Sequence, residues 1–219
     1  MTPTQTAHFF DTPAGNLEEV WLRARPHLNV RNNDEHTLFS FLYAKTLCET
    51  YPEADAGLVL PAILLHDTGW SKIPQDKILH AFGPNNKYPE LTRQHELESL
   101  DIAMPVLTEL GYADEAVEQI LNLIDGHDTT KHARSLNDAI HKDADKLWRY
   151  TPHGNRIIGE WFEIGLADVL DILENFVLPG FLTDEGRRLA TLLLQTARLD
   201  QKISEWGRAV ASTHRGGND

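Results

Sequence analysis

Apolar residues along this chain recur at three- and four-residue spacing, and nowhere do they alternate with polar ones as a half-buried strand requires. Leu17, Val20, Trp21 and Leu28 predict a first helix that ends near Pro26. Asn32-Asn33-Asp34-Glu35 supplies capping side chains and acids for a first turn, so a second helix should start there. Its stripe is Leu38, Phe41, Leu42 and Leu47, and Tyr51-Pro52 closes it. A third helix is expected over roughly 55–65, kinked at Pro61. It is apolar on nearly every side until it ends in His66-Asp67, with Gly69 two residues beyond. Residues 69–88 hold Pro74, Gly83 and Pro84 and read as loop or short helix. Further helices are expected over about 89–110, stopped by Gly111, over 114–125, and over 136–150. Two long periodic segments, about 155–177 and 184–211, complete the chain.

The sum is an all-α fold, a single domain over residues 16–219 preceded by a flexible polar arm over residues 1–15. A length of 219 residues is enough for one sizeable core. The net charge of −13 argues against nucleic-acid duplexes and anionic membranes as partners, because both select clustered cations. It leaves room for a small anionic substrate, because a metal site brings its own positive charge. Cys48 is the one cysteine, which excludes an intrachain disulfide and a cysteine-based zinc site. With neither a membrane-length apolar run nor a signal-like N-terminus, a cytoplasmic location is expected.

The chemistry gathers at helix ends. His36, His66, Asp67, His95, His127 and Asp145 sit at helix termini or at polar positions beside apolar stripes, and only His66 and Asp67 share a helix. Facing helices that each contribute one inward ligand are how a bundle builds a metal site. Imidazole with carboxylate suits Mn, Fe, Co, Ni or Zn. Six donors exceed what one ion with an open position takes, and they would serve two ions ~3.5–4 Å apart. Asp143 lies close enough to compete with Asp145 for the last ligand position. His141, one turn before Asp145 on the same face, is read as a surface residue with a place beside the ligands or the substrate as the alternative, and His8, His27, His80, His132, His153 and His214 take surface or incidental roles.

His36, then His66-Asp67 followed by Gly69, then Asp145 within Ala144-Asp-Lys-Leu147, resembles the HD-domain superfamily of metal-dependent phosphohydrolases. The resemblance covers about residues 30–150 and, more faintly, the helices over about 155–212. His95 and His127 match the two further histidines of its binuclear members. The HD-GYP tripeptide is lacking, and Asp128 stands where that group has a second histidine, so a cyclic dinucleotide substrate is not inferred. The resemblance implies one ion on His36, His66, Asp67 and Asp145, and a second on Asp67, His95 and His127, with Asp67 bridging. Fe, Mn, Co or Ni are expected ahead of Zn or Mg.

That reading implies a hydrolase acting on a small phosphorylated metabolite or nucleotide through a metal-bridging hydroxide. Lys72 and Arg93 are the expected fixed cations for the phosphoryl charge, and Trp70, Tyr88, Trp148 and Tyr150 are aromatics able to stack on a base. Two rival readings share the ligand set. One is a mixed-valent di-iron oxygenase of HD type cleaving a C–P or C–C bond; the other is a non-catalytic metal-binding sensor. Asp145 follows His127 by 145 − 127 = 18 residues and no tyrosine lies in 22–35, whereas the HD-type oxygenases separate the corresponding ligands much further and a tyrosine could guard a di-iron site, so the resemblance leans toward hydrolysis.

Overall fold

Eight consecutive residues, Leu58 to Leu65, are buried in one helix, and helices of the first 148 residues pack around it. In this computed structural model residues 9–12, 16–82 and 86–215 are described, with helix backbone alone for 207–215. The elements before residue 149 are α1 (Leu17–Ala24), α2 (Asn33–Thr50), α3 (Ala56–Leu65), α4 (Gln75–Ile78), α5 (Pro89–Glu109), α6 (Asp114–Ile124) and α7 (Leu136–Leu147). A 3-10 turn over Thr68–Lys72 joins α3 to α4. The fold is all-α, with no strand among the described residues. No described helix is long and apolar enough to cross a membrane.

α3 is the buried helix, and α1, α2, α5, α6 and α7 all pack on it. An isolated ten-residue helix is marginal in water, so α3 owes its stability to this apolar enclosure. Asp55 caps its start by accepting the Gly57 N–H at 2.8 Å. The helix continues unbroken through Pro61, where a kink was expected.

Local chemistry departs from expectation at two helix starts and stops. Asn32 does not cap α2 through its side chain; it adopts a left-handed conformation (φ 62°), and its amide donates to Glu35 instead. The long helix expected over 155–177 is broken. α8 (Pro152–Phe162) stops where Glu163 turns left-handed (φ 53°) and Ile164 N–H bonds back to the Gly159 carbonyl. α9 (Leu166–Ile172) starts afresh after Gly165 and runs on through a π-turn over Leu173–Val177.

The chain divides into two compact units after Trp148. The second holds α8, α9 and α10 (Asp184–Arg215); within it the Tyr150 hydroxyl donates to the Leu173 carbonyl, and Arg198 pairs with Asp171 and Glu174. In the first unit most of the expected arm over 1–15 lies outside the described residues. Its described part includes Phe10, buried between Trp21 and Phe41 at ring distances of 5.9 and 5.2 Å. The stretch over 69–88 carries its own small core of Trp70, Ile73, Ile78, Ala81 and Leu91; residues 83–85 lie outside the described set.

Gly69 explains why the turn after α3 can lie against α5. A Cβ there would stand 2.0 Å from the His95 carbonyl oxygen and 2.5 Å from the Ser99 nitrogen, and the Gly69 N–H donates to Ser99 Oγ at 2.8 Å. Only a residue without a side chain permits that approach, which is what sets Asp67 beside His95. Gly69→Ala should therefore cost about 1–3 kcal/mol through overpacking. A urea unfolding midpoint equal to the parent's would contradict the close approach.

Candidate metal centre

α2, α3, α5, the loop after α6, and α7 each deliver side chains to one buried point. His36 comes from the first turn of α2, His66 and Asp67 from the end of α3, His95 from α5, His127 from the turn after α6, and Asp145 from α7. All six are at most 6% exposed. The expectation that these six positions converge can be followed distance by distance.

On one side, His36 Nε2 lies 3.2 Å from His66 Nε2, 3.1 Å from Asp145 Oδ1 and 3.5 Å from Asp67 Oδ2. On the other, His95 Nε2 lies 3.3 Å from His127 Nε2 and 3.4 Å from Asp67 Oδ1, with His127 Nε2 3.6 Å from the same oxygen. A tetrahedron of ~2.1 Å metal–ligand bonds has edges of about 3.4 Å, so both groups have the spacing of a coordination shell. Asp145, rather than Asp143, faces His36 and His66; Asp143 approaches Lys146 at 3.8 Å.

The ring orientations fit a cation as well. His66 Nδ1 lies 2.8 Å from the Ile63 carbonyl and His127 Nδ1 2.8 Å from the Ile124 carbonyl. A carbonyl only accepts, so each Nδ1 carries a hydrogen and each Nε2 is the nitrogen turned to the centre, where its lone pair meets a cation once any proton it holds has left. His36/Asp67/His66 and Asp67/His95/His127 are thus two donor groups able to hold metal ions, with Asp67 common to both. The Trp70 indole N–H donates to Asp67 Oδ1 at 3.1 Å, and its ring stacks on His95 at 4.0 Å, which fixes both residues.

Electrostatics follow from burying two carboxylates, Asp67 and Asp145, among imidazoles. Burial pushes the Asp67 carboxyl up, but His66, His127, His95 and His36 outweigh it and hold the group well below the usual carboxylate range. Burial likewise opposes charge on His127, yet Asp67, Asp128 and Asp145 bring it up to about 10. Burial lowers His36, with Asp145 and Asp67 opposing. At neutral pH the metal-free centre therefore keeps a proton on the His127 side.

The neighbouring residues correct several expectations. His141 is no surface residue: it is fully buried, with ring centres 5.6 Å from His66 and 5.9 Å from His127. Burial, then His66 and His127, press its pKa far down and keep it neutral. Lys72 ends the 3-10 turn on the exposed side, because the same turn sends Trp70 inward. It stands near His27, away from the centre. Arg93 is paired with Glu96 at 2.7 Å and Asp125 at 2.5 Å, contacts that tie α5 to the end of α6.

The cation beside the centre is Arg31, which sequence reasoning missed. Its guanidinium lies 3.9 Å from Asp67 Oδ2 and over the rings of Trp70 and Phe82, 4.7 and 4.2 Å from their centres. Arg31 and Asn32 are both left-handed (φ 40° and 62°), and this reversal brings the side chain back over the site. An arginine directly before a helix start, one turn from His36, was the available signal. Of the four aromatics, Trp70, Trp148 and Tyr150 are at most 2% exposed, with Trp148 edge-on to His36 at 4.9 Å, and Tyr88 is half-buried against the small core of Trp70 and Ile73.

The family model for the HD domain matches residues 33–149, just over half of the chain, and that span contains every one of the six converging residues. The chain belongs to the HD domain family. No curated protein and no solved structure matches it. HD domains form a superfamily of metal-dependent hydrolases with some non-catalytic members. The two donor groups of this chain could hold metal ions, which is consistent with an HD domain.

Because His127 is held up to about 10 in the metal-free centre, an entering ion must displace its proton. Adding Mn²⁺ at pH 7 to the weakly buffered protein should release about one proton or more per chain, read with a pH indicator. Full metal uptake without proton release would contradict these electrostatics.

Proposed function

We propose that the chain is a phosphohydrolase that uses two divalent transition-metal ions per chain to cleave a small phosphorylated metabolite or nucleotide. The observation that carries the reading is the pair of donor groups joined through Asp67. His36, His66, Asp67 and Asp145 would hold one ion, and Asp67, His95 and His127 the other. Bound there, divalent ions supply Lewis acidity and a water activated near neutral pH. Imidazole-rich sets with carboxylate support Mn, Fe, Co or Ni ahead of Mg.

The chain's own residues set the conditions. Ile63 and Ile124 carbonyls lock the His66 and His127 rings, so both lone pairs stay aimed inward through turnover. Trp70 holds the Asp67 carboxylate against rotation. Arg31 takes the part expected of Lys72 and Arg93: a fixed guanidinium beside the centre, placed to neutralise a phosphoryl oxygen as its charge grows. Its stacking on Trp70 and Phe82 preorganises the fork, so little entropy is lost when the substrate binds.

Two measurements test the reading. Elemental analysis of the Mn- or Co-loaded protein should give about two equivalents per chain, and the loaded protein should release phosphate from a phosphoester panel without oxygen. Oxygen uptake coupled to turnover would overturn hydrolysis in favour of oxygenase chemistry. Arg31→Ala should lower kcat/KM by about 10²-fold with metal content retained, whereas Lys72→Ala should change it less than about threefold. Equal effects of the two substitutions would remove Arg31 from the mechanism.

A further inference from the structure

Asp128 follows His127 and is the residue of the centre's surroundings that no expectation used. Its Oδ2 lies 3.8 Å from His95 Nε2 and 3.9 Å from His127 Nε2, the two nitrogens that also face Asp67 Oδ1. Its side chain is 30% exposed, so it keeps contact with solvent while its carboxylate reaches the two rings. We propose that Asp128 is a fourth donor of the Asp67–His95–His127 group, and that Glu96 is the positioning residue that holds it there.

The donor inventory supports the first half. The group on the other side of Asp67 contains two histidines and two carboxylates: His36, His66, Asp67 and Asp145. With Asp128 the second becomes its counterpart: His95, His127, Asp67 and Asp128. Without it, the second group has one carboxylate fewer and shares that one with its neighbour. Two matched sets of imidazole and hard oxygen explain how one chain can fill both positions with the same kind of ion.

The second half rests on how the loop is clasped. Glu96 is fully buried, one residue past His95 on α5. Its Oε1 accepts the N–H groups of Asp128 and Thr129, each at 2.9 Å, and its Oε2 accepts Thr129 Oγ1 and Arg93 Nη1, each at 2.7 Å. A buried carboxylate is costly unless its acceptor positions are filled, and here four donors fill them. From beneath, Lys142 Nζ donates to the Gly126 and Thr130 carbonyls at 2.7 and 2.6 Å, and Arg134 donates to the Asn122 and Asp125 carbonyls. Gly126 sits at φ +77°, where a Cβ would meet Thr130 Oγ1 at 2.5 Å. These bonds fasten the loop in the conformation in which the Asp128 carboxylate faces two imidazole nitrogens.

This inference rests on the two-ion reading, and stepwise Mn²⁺ titration of the full chain separates the two. The parent protein should show two dissociation constants. Asp128→Asn should weaken the second step 10- to 100-fold and leave the first within threefold, the first step serving as the control for folding. Glu96→Ala should weaken the second step in the same way, and Glu96→Gln, which keeps one acceptor oxygen for the two N–H groups, should restore part of the loss. A parent that binds one equivalent or none overturns the two-ion reading itself. Two equivalents in the parent with an unchanged second step in Asp128→Asn overturns Asp128 as a donor and leaves the two-ion reading standing. An unchanged second step in Glu96→Ala overturns the positioning role alone.

Discussion

The constraint that governs this structure is a carboxylate, Asp67, buried at 3% exposure where four imidazoles meet. A lone charge in such a place would be prohibitively costly, and burial alone would neutralise it. It stays ionised because His66, His127, His95 and His36 face it, and those four come from four segments of chain. Fold and centre are therefore one problem. α3 must be buried on every side so that its end reaches the middle of the unit, and each helix around it must present a polar group at that depth.

The backbone devices serve the same requirement. Gly69 lets the turn after α3 touch the α5 backbone, which puts Asp67 within 3.4 Å of His95. Glu96, Lys142 and Arg134 fasten the loop that carries His127. α7 turns Asp138, His141, Lys142 and Asp145 inward at three- and four-residue spacing, a polar stripe that would be ruinous without partners. The span that matches the HD domain family, residues 33–149, is the span that holds these groups together.

Much of this was legible in the residues. The apolar run of α3 ending in His66-Asp67 announces a buried helix with a polar terminus, and capping and stop signals place most helices correctly. Gly69 could be seen, but not what it touches. The cations were assigned by nearness in sequence, and nearness says nothing of where a side chain goes: Lys72 ends a 3-10 turn on the exposed side, and two acids pair with Arg93. Arg31 reaches the site only because two consecutive left-handed residues reverse the chain, and nothing in their side chains demands that conformation. His141 looked like a surface residue because a polar stripe reads as solvent-facing until the partners on other helices are known. The break at Glu163 escaped for a related reason, because apolar periodicity continues across it while the backbone does not.

The central claim is that Asp67 is shared by two ions. Anomalous diffraction from crystals of the Mn²⁺-loaded protein tests it directly. The account predicts two peaks, one on each side of the Asp67 carboxylate, the first against His36, His66 and Asp145 and the second against His95 and His127. One peak alone, or two peaks of which only one touches Asp67, would contradict it.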